Sequence, residues 1–157
     1  MRKMAIKFSL QPVLDYRHNI VDALEILLSR LLVQEQQAKE YLIFLEQQQT
    51  DLHQQLAEMQ SGEINMDKLN HTRANLQRVL EQIEQQKHAL EELKMQVQAK
   101  RNEVTAAKQD EEVLLKLKQN QQDEVDAKQA AQEAALQDDL YIAKAFRQSL
   151  EANLGNA

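Results

Sequence analysis

Apolar residues return along the first third of this chain at alternating steps of four and three. The series runs Leu10, Leu14, Arg17, Val21, Leu24, Leu28, Leu31, Glu35, Ala38, Leu42, Leu45, Gln49, Leu52, Leu56 and Met59, and only Arg17, Glu35 and Gln49 interrupt it. A helix has 3.6 residues per turn, so a stripe repeating every 3.5 residues over about seven heptads faces a partner only if the helices wind around each other with a left hand. The spacing predicts a helix over 10–60. Pro12 falls in its first turn, where a missing N–H is harmless, and Ser9 just before it offers a capping hydroxyl.

Ser61-Gly62-Glu63-Ile64-Asn65 ends the pattern and predicts a turn at 61–66. Gly62 can adopt the left-handed conformation that closes a helix, and Asn65 can cap the next one. Beyond it Leu69, Leu76, Ile83, Leu90, Val97 and Val104 recur at every seventh residue, accompanied by Thr72, Val79, Gln86, Leu93, Lys100 and Ala107. A second seam of this kind predicts a helix over 67–152. Because the connection is short, the two helices must run antiparallel. The predicted fold is therefore all-α, a long antiparallel two-helix coiled-coil hairpin with an extended second helix, flanked by a basic tail at 1–9 and a C-terminal tail at 153–157. At about 1.5 Å per residue the first helix spans roughly 75 Å and the second roughly 125 Å, which leaves an overhang. Its apolar pattern thins after Leu117 and strengthens again at Leu136, Leu140, Ile142, Phe146 and Leu150.

Composition supports this reading and removes several function classes. Two Gly, one Pro and 4% aromatics leave little material for a globular core, and 43% apolar with 28% charged residues suits a narrow stripe on a wetted helix. With no Cys, no disulfide framework, thiolate nucleophile or cysteine metal site is available. The longest apolar stretch, Ile20 to Val33, is interrupted by Asp22, Glu25, Ser29 and Arg30, so no membrane insertion is expected. Arg2, Lys3 and Lys7 lack the apolar run of a secretory signal and read as a solvated tail. A net charge of −6 argues against nucleic-acid binding.

The chain also lacks a phosphate-binding glycine loop, a nucleophile elbow and a His-Glu-x-x-His zinc motif. His18, His53, His71 and His88 are dispersed, and only His53 and His71 could approach across a hairpin. Adjacent acids such as Glu91-Glu92 and Asp138-Asp139 diverge on a helix surface and do not converge on one reacting atom. We expect no catalytic residues, no cofactor and no metal, and a chain that works by binding and coupling other proteins. Apolar residues off the seam bear on that: Ile20, Ile26, Leu27, Leu32 and Val33, then Tyr41, Ile43 and Phe44, widen the stripe beyond what a two-stranded coil covers. They read either as contacts to a third helix or a dimer, or as a docking strip for a partner.

The opening Phe8-Ser9-Leu10-Gln11-Pro12-Val13-Leu14-Asp15-Tyr16-Arg17 resembles the start of the FliJ family, coiled-coil components of the bacterial flagellar export apparatus. After the Gly62 break, Arg101, Lys108, Glu111, Glu112 and Leu114, then Glu133, Asp139 and Phe146-Arg147, look like that family's carboxy-terminal helix. The resemblance extends to related type III secretion stalk proteins. It implies a cytoplasmic stalk similar to the γ subunit of rotary ATP synthases, peripheral to the inner membrane through the export apparatus. The implied partners are a hexameric export ATPase, the cytoplasmic domain of the export gate membrane protein, and export chaperones. On that reading Phe8, Leu10, Leu14 and Arg17, with Tyr141, Lys144, Phe146 and Arg147, are candidates for the ATPase-facing end. Self-association through the unpaired part of helix 2 is a further expectation. The alternative is a generic coiled-coil scaffold, or an adaptor or chaperone in another bacterial system. A turn centred near Glu63 places Leu10 across from about Lys116, so the two candidate groups are not expected side by side.

Overall fold

The computed structural model describes residues 6–155, so Arg2 and Lys3 of the basic tail and positions 156–157 of the C-terminal tail lie outside the described residues. Two helices, α1 (Gln11–Met59) and α2 (Met66–Gly155), pack against each other. The structure is 93% helical, with no strand among the described residues, and it is the antiparallel helical hairpin that the two seams predict. Helix α2 is unbroken through the weakly apolar stretch after Leu117 and continues to Gly155, past the predicted end at 152.

The two helix starts differ in kind. At α1 the Ser9 hydroxyl is not the cap; a backbone turn closes the entry, the Gln11 amide donating to the Phe8 carbonyl (3.1 Å) and the Leu14 amide to the Leu10 carbonyl (2.9 Å). Pro12 then occupies a first-turn position whose N–H would have had no helical acceptor. Helix α2 begins as expected. Asn65 Oδ1 accepts from the amides of Asp67 (3.1 Å) and Lys68 (3.3 Å), satisfying two of the orphan donors. Between the helices, Gly62 takes φ 101°, a left-handed conformation that a side chain would strain.

Residues His18–Lys108 form the larger of two compact units. At its centre Leu45 is 1% exposed against Val79 and Ile83, with Leu42 and Leu52 packed on them. The seam residues from Val21 to Met59 are all buried or half-buried, as are both α2 series from Leu69 to Ala107. Contacts fix the antiparallel sense, since α1 numbers fall as α2 numbers rise. Thr72 Oγ1 meets Met59 Sδ at 3.7 Å, Gln86 Nε2 donates to the Ala38 carbonyl at 3.1 Å, and Lys108 Nζ lies 2.9 Å from Glu25 Oε1. The Gln86 amide sits half-buried in the seam, where a slipped register would strand it without an acceptor, so it helps specify the pairing.

The second unit joins the chain before His18 to the chain after Lys108. Phe8 and Leu14, each 5% exposed, are its buried apolar residues. Around them the contacts are polar: Lys118 Nζ to Gln11 Oε1 at 2.8 Å, the Ile6 amide to Gln122 Oε1 at 3.3 Å, and Arg17 to Asp110 at 3.5 Å. Leu10, counted in the seam, is 38% exposed. It precedes the first helical residue, so its side chain does not follow the helical projection, while Phe8, two residues earlier, is buried. The seam also changes phase here. A strict seven-residue continuation runs through Lys118, Gln121 and Val125, which are half-buried, but would then bury Lys128 and Gln132, which are exposed; Gln122, Asp126, Gln129 and Glu133, each one position later, are half-buried. From Leu114 the steps to Lys118, Gln122 and Asp126 are each of four residues, a lengthening of the repeat that locally relaxes the left-handed supercoil. Beyond Glu133 every described residue is exposed.

Candidate partner-binding surfaces

Two apolar surfaces have no cover from the described residues of the chain. The first is the part of α2 beyond Glu133, where Tyr141 is 75% and Phe146 65% exposed, with Leu136, Leu140, Ile142, Leu150 and Leu154 exposed beside them. Lys144 and Arg147 are exposed on the same stretch, and among the described residues neither has an ion-pair or hydrogen-bond partner. Aromatic rings interleaved with cations, half their area apolar and their tips polar, are the side chains that anchor protein interfaces.

The structure separates the remaining candidates of that end. Phe8 and Leu14 are core residues of their unit, and Arg17 is half-buried beside Asp110, with side-chain exposures of 42% and 59% for the pair. These residues lie against Asp110 to Gln122, and Tyr141 is 19 positions further, roughly 28 Å along the helix. The two groups therefore do not form one surface here. Of the first group only Leu10 is exposed, and Arg17 has an internal partner that its seam position alone did not reveal.

The second surface lies on α1 within the larger unit. Tyr41 and Phe44 stack with ring centroids 6.2 Å apart and an interplanar angle of 25°, and both are about half exposed beside Ile43. Two turns apart on the same helix, Ile26 and Val33 are each 56% exposed and line a shallow hollow with Ser29 and Arg30, rimmed by Asp22 and Glu25. Among the described residues there is no third helix to cover this strip. Its apolar members were readable from their off-seam positions, while the charged rim around Ile26 and Val33 emerges only from the helix surface.

Elsewhere the polar side chains pair locally. His18 Nε2 lies 3.4 Å from Asp22 Oδ2, one turn on, and His53, His71 and His88 are exposed. Glu35, an acid in the seam with a side chain only 14% exposed, is held by Lys39 at 3.2 Å. No group of three His, Cys, Asp or Glu among the described residues could hold a metal ion, and no helix is long and apolar enough to cross a membrane.

Comparison with protein families finds one that spans nearly the whole chain: the family described as Flagellar FliJ protein matches residues 6–150. Neither the curated proteins nor the solved structures yield a match.

Proposed function

The chain belongs to the FliJ family of flagellar export proteins, and from that premise we propose that it is a non-enzymatic stalk that binds the hexameric export ATPase and couples it to the export gate and to export chaperones. The observation that carries this reading is the free stretch of α2 beyond Glu133, a helix presenting exposed Tyr141 and Phe146 together with Lys144 and Arg147 and no chain of its own opposite. Such a helix offers a partner a rigid, preformed surface at little cost in ordering. Its role toward nucleotide is mechanical, since all hydrolysis would occur in the ATPase. The Tyr41 and Phe44 strip of α1 is left for the gate's cytoplasmic domain or for chaperones, and the chain would work in the cytoplasm, at the inner membrane through these partners.

Measuring ATP turnover of the purified cognate ATPase with and without this chain tests the reading. We expect stimulation by the parent chain, and its loss with Phe146→Ala combined with Arg147→Glu, while the circular-dichroism spectrum stays unchanged because both residues lie outside the packed seam. Arg17→Glu is a poorer probe, as it would also set a carboxylate against Asp110. No stimulation by the parent, or equal stimulation by the double variant, would return the chain to the scaffold reading.

A further inference from the structure

We propose that the free part of α2 pairs antiparallel with the same segment of a second copy of this chain, about a two-fold axis at Ala143. The proposal stands apart from ATPase binding and rests on the arrangement of the segment itself.

At 3.6 residues per turn, Leu136, Leu140, Ala143, Phe146 and Leu150 fall within roughly 120° of one another, with Ala143 at the middle of the arc. The only charged residues inside that arc are Asp139 and Arg147. Reversing the segment about Ala143 maps the arc onto itself. Leu136 meets Leu150 of the second copy, Leu140 meets Phe146, Asp139 meets Arg147, and Ala143 meets its own equivalent, each pair occurring twice except the last. Apolar residues thus oppose apolar ones, acid opposes base, and the smallest side chain sits where two helix axes would cross most closely. That is the self-complementarity an isologous two-fold contact requires. Outside the arc no like charges face each other: Asp138 meets Gln148, Lys144 meets Ile142 and Glu151 meets Ala135.

The face is also continuous with a packed interface. The half-buried series Gln122, Asp126, Gln129 and Glu133 leads by steps of three and four into Leu136, Leu140, Ala143, Arg147 and Leu150, so the stripe that meets the N-terminal segment at Gln122 runs on into the exposed part of the helix. The lengthened repeat from Leu114 to Asp126 sets this phase. A second copy extends the helical pairing beyond the contact of Ile6 with Gln122, and Asp139 and Arg147, which lack partners among the described residues of one chain, gain them from the other. The same pairing covers Phe146 and Arg147 and would withhold them from the ATPase; that consequence alone rests on the stalk reading.

The test uses the full chain with no ATPase present. Sedimentation velocity should show a concentration-dependent dimer. Asp139→Arg or Arg147→Asp alone, each placing like charges opposite each other at two symmetric sites, should raise the dissociation constant roughly tenfold or more, and the double exchange should restore it. The chain has no native Cys, so Ala143→Cys should oxidise rapidly to a covalent dimer, whereas Ala145→Cys, on the opposite side of the helix, should not. A parent that remains monomeric at every concentration overturns the proposal. So do single charge reversals that dimerise like the parent, or Ala145→Cys cross-linking as fast as Ala143→Cys. Circular dichroism on each variant confirms that the helices are intact.

Discussion

Leu45 and Leu140 belong to helices of similar composition, yet one is 1% and the other 63% exposed. Around Leu45 the helix exists because its apolar stripe is packed against Val79 and Ile83, and propensity contributes little by comparison. Approaching Leu140 the seam gives way to local devices. Gln119 donates to Asp123 at 2.9 Å, Gln122 to Asp126 at 3.0 Å, and Gln129 to Glu133 at 3.4 Å, each bond spanning one turn, and Ala-rich sequence from Ala127 to Ala135 adds intrinsic preference. The same secondary structure is thus sustained by tertiary burial in one region and by short-range bonding and composition in the other. In the second region the apolar stripe itself stays available, whereas around Leu45 only off-seam residues such as Tyr41 and Phe44 do.

The comparison can be broken most severely at its packed end. Leu45→Ala should destabilise the hairpin by about 3 kcal/mol in thermal melts, because it leaves a cavity among Val79, Ile83, Leu42 and Leu52. Leu140→Ala, measured at concentrations where the chain is monomeric, should stay within about 0.5 kcal/mol of the parent. Equal effects at the two sites would mean that the overhang is packed after all. Next in size come the two residues that join the helices. Gly62→Ala must place a Cβ at φ 101° and should cost about 1 to 2 kcal/mol, although space around it is open. Asn65→Ala, which removes the acceptor of two amides, should cost about 1 kcal/mol in the same assay. The smallest effect is expected at Arg17→Ala: its pair with Asp110 is long at 3.5 Å and well solvated, so a loss of only a few tenths of a kcal/mol should appear in chemical denaturation, shrinking further with added salt.

Much of this was readable in advance because a seven-residue period leaves little freedom. Leu69, Ile83, Leu90, Val97 and Val104 are buried at the spacing that named them, and Gly62 and Asn65 act as their chemistry suggested. The exceptions mark where local pattern stops being sufficient. Ser9 looked like a cap because hydroxyls cap helices, but whether the side chain or a backbone turn supplies the bond depends on how the chain enters, which Phe8 decides by burying itself. Arg17 was visible only as a charge interrupting the seam, because Asp110 is distant in sequence and meets it only through the register. After Lys118 the half-buried residues are Gln121, Gln122, Asp126, Gln129 and Glu133 with Val125 the one apolar member before Ala-rich sequence, so the phase change looked like a thinning of the seam. For the binding surfaces, exposure and apolarity were visible at Tyr41, Phe44, Tyr141 and Phe146, but a single sequence does not encode what covers them.

The turn at Gly62 also sets an order of assembly. Sequence separation between paired residues grows from 13 at Thr72 and Met59 to 116 at Ile6 and Gln122. Closing a loop costs entropy that rises with the number of residues enclosed, so the short loop forms first and every later pair closes against a stretch already joined, at almost no further loop cost. The hairpin should therefore zip from Asn65 outward, with Leu45 and Ile83 locking early and Phe8 last. Run backwards, the same sequence makes the segment around Phe8 and Leu14 the first to fray, released by local fluctuation while the zipped remainder holds.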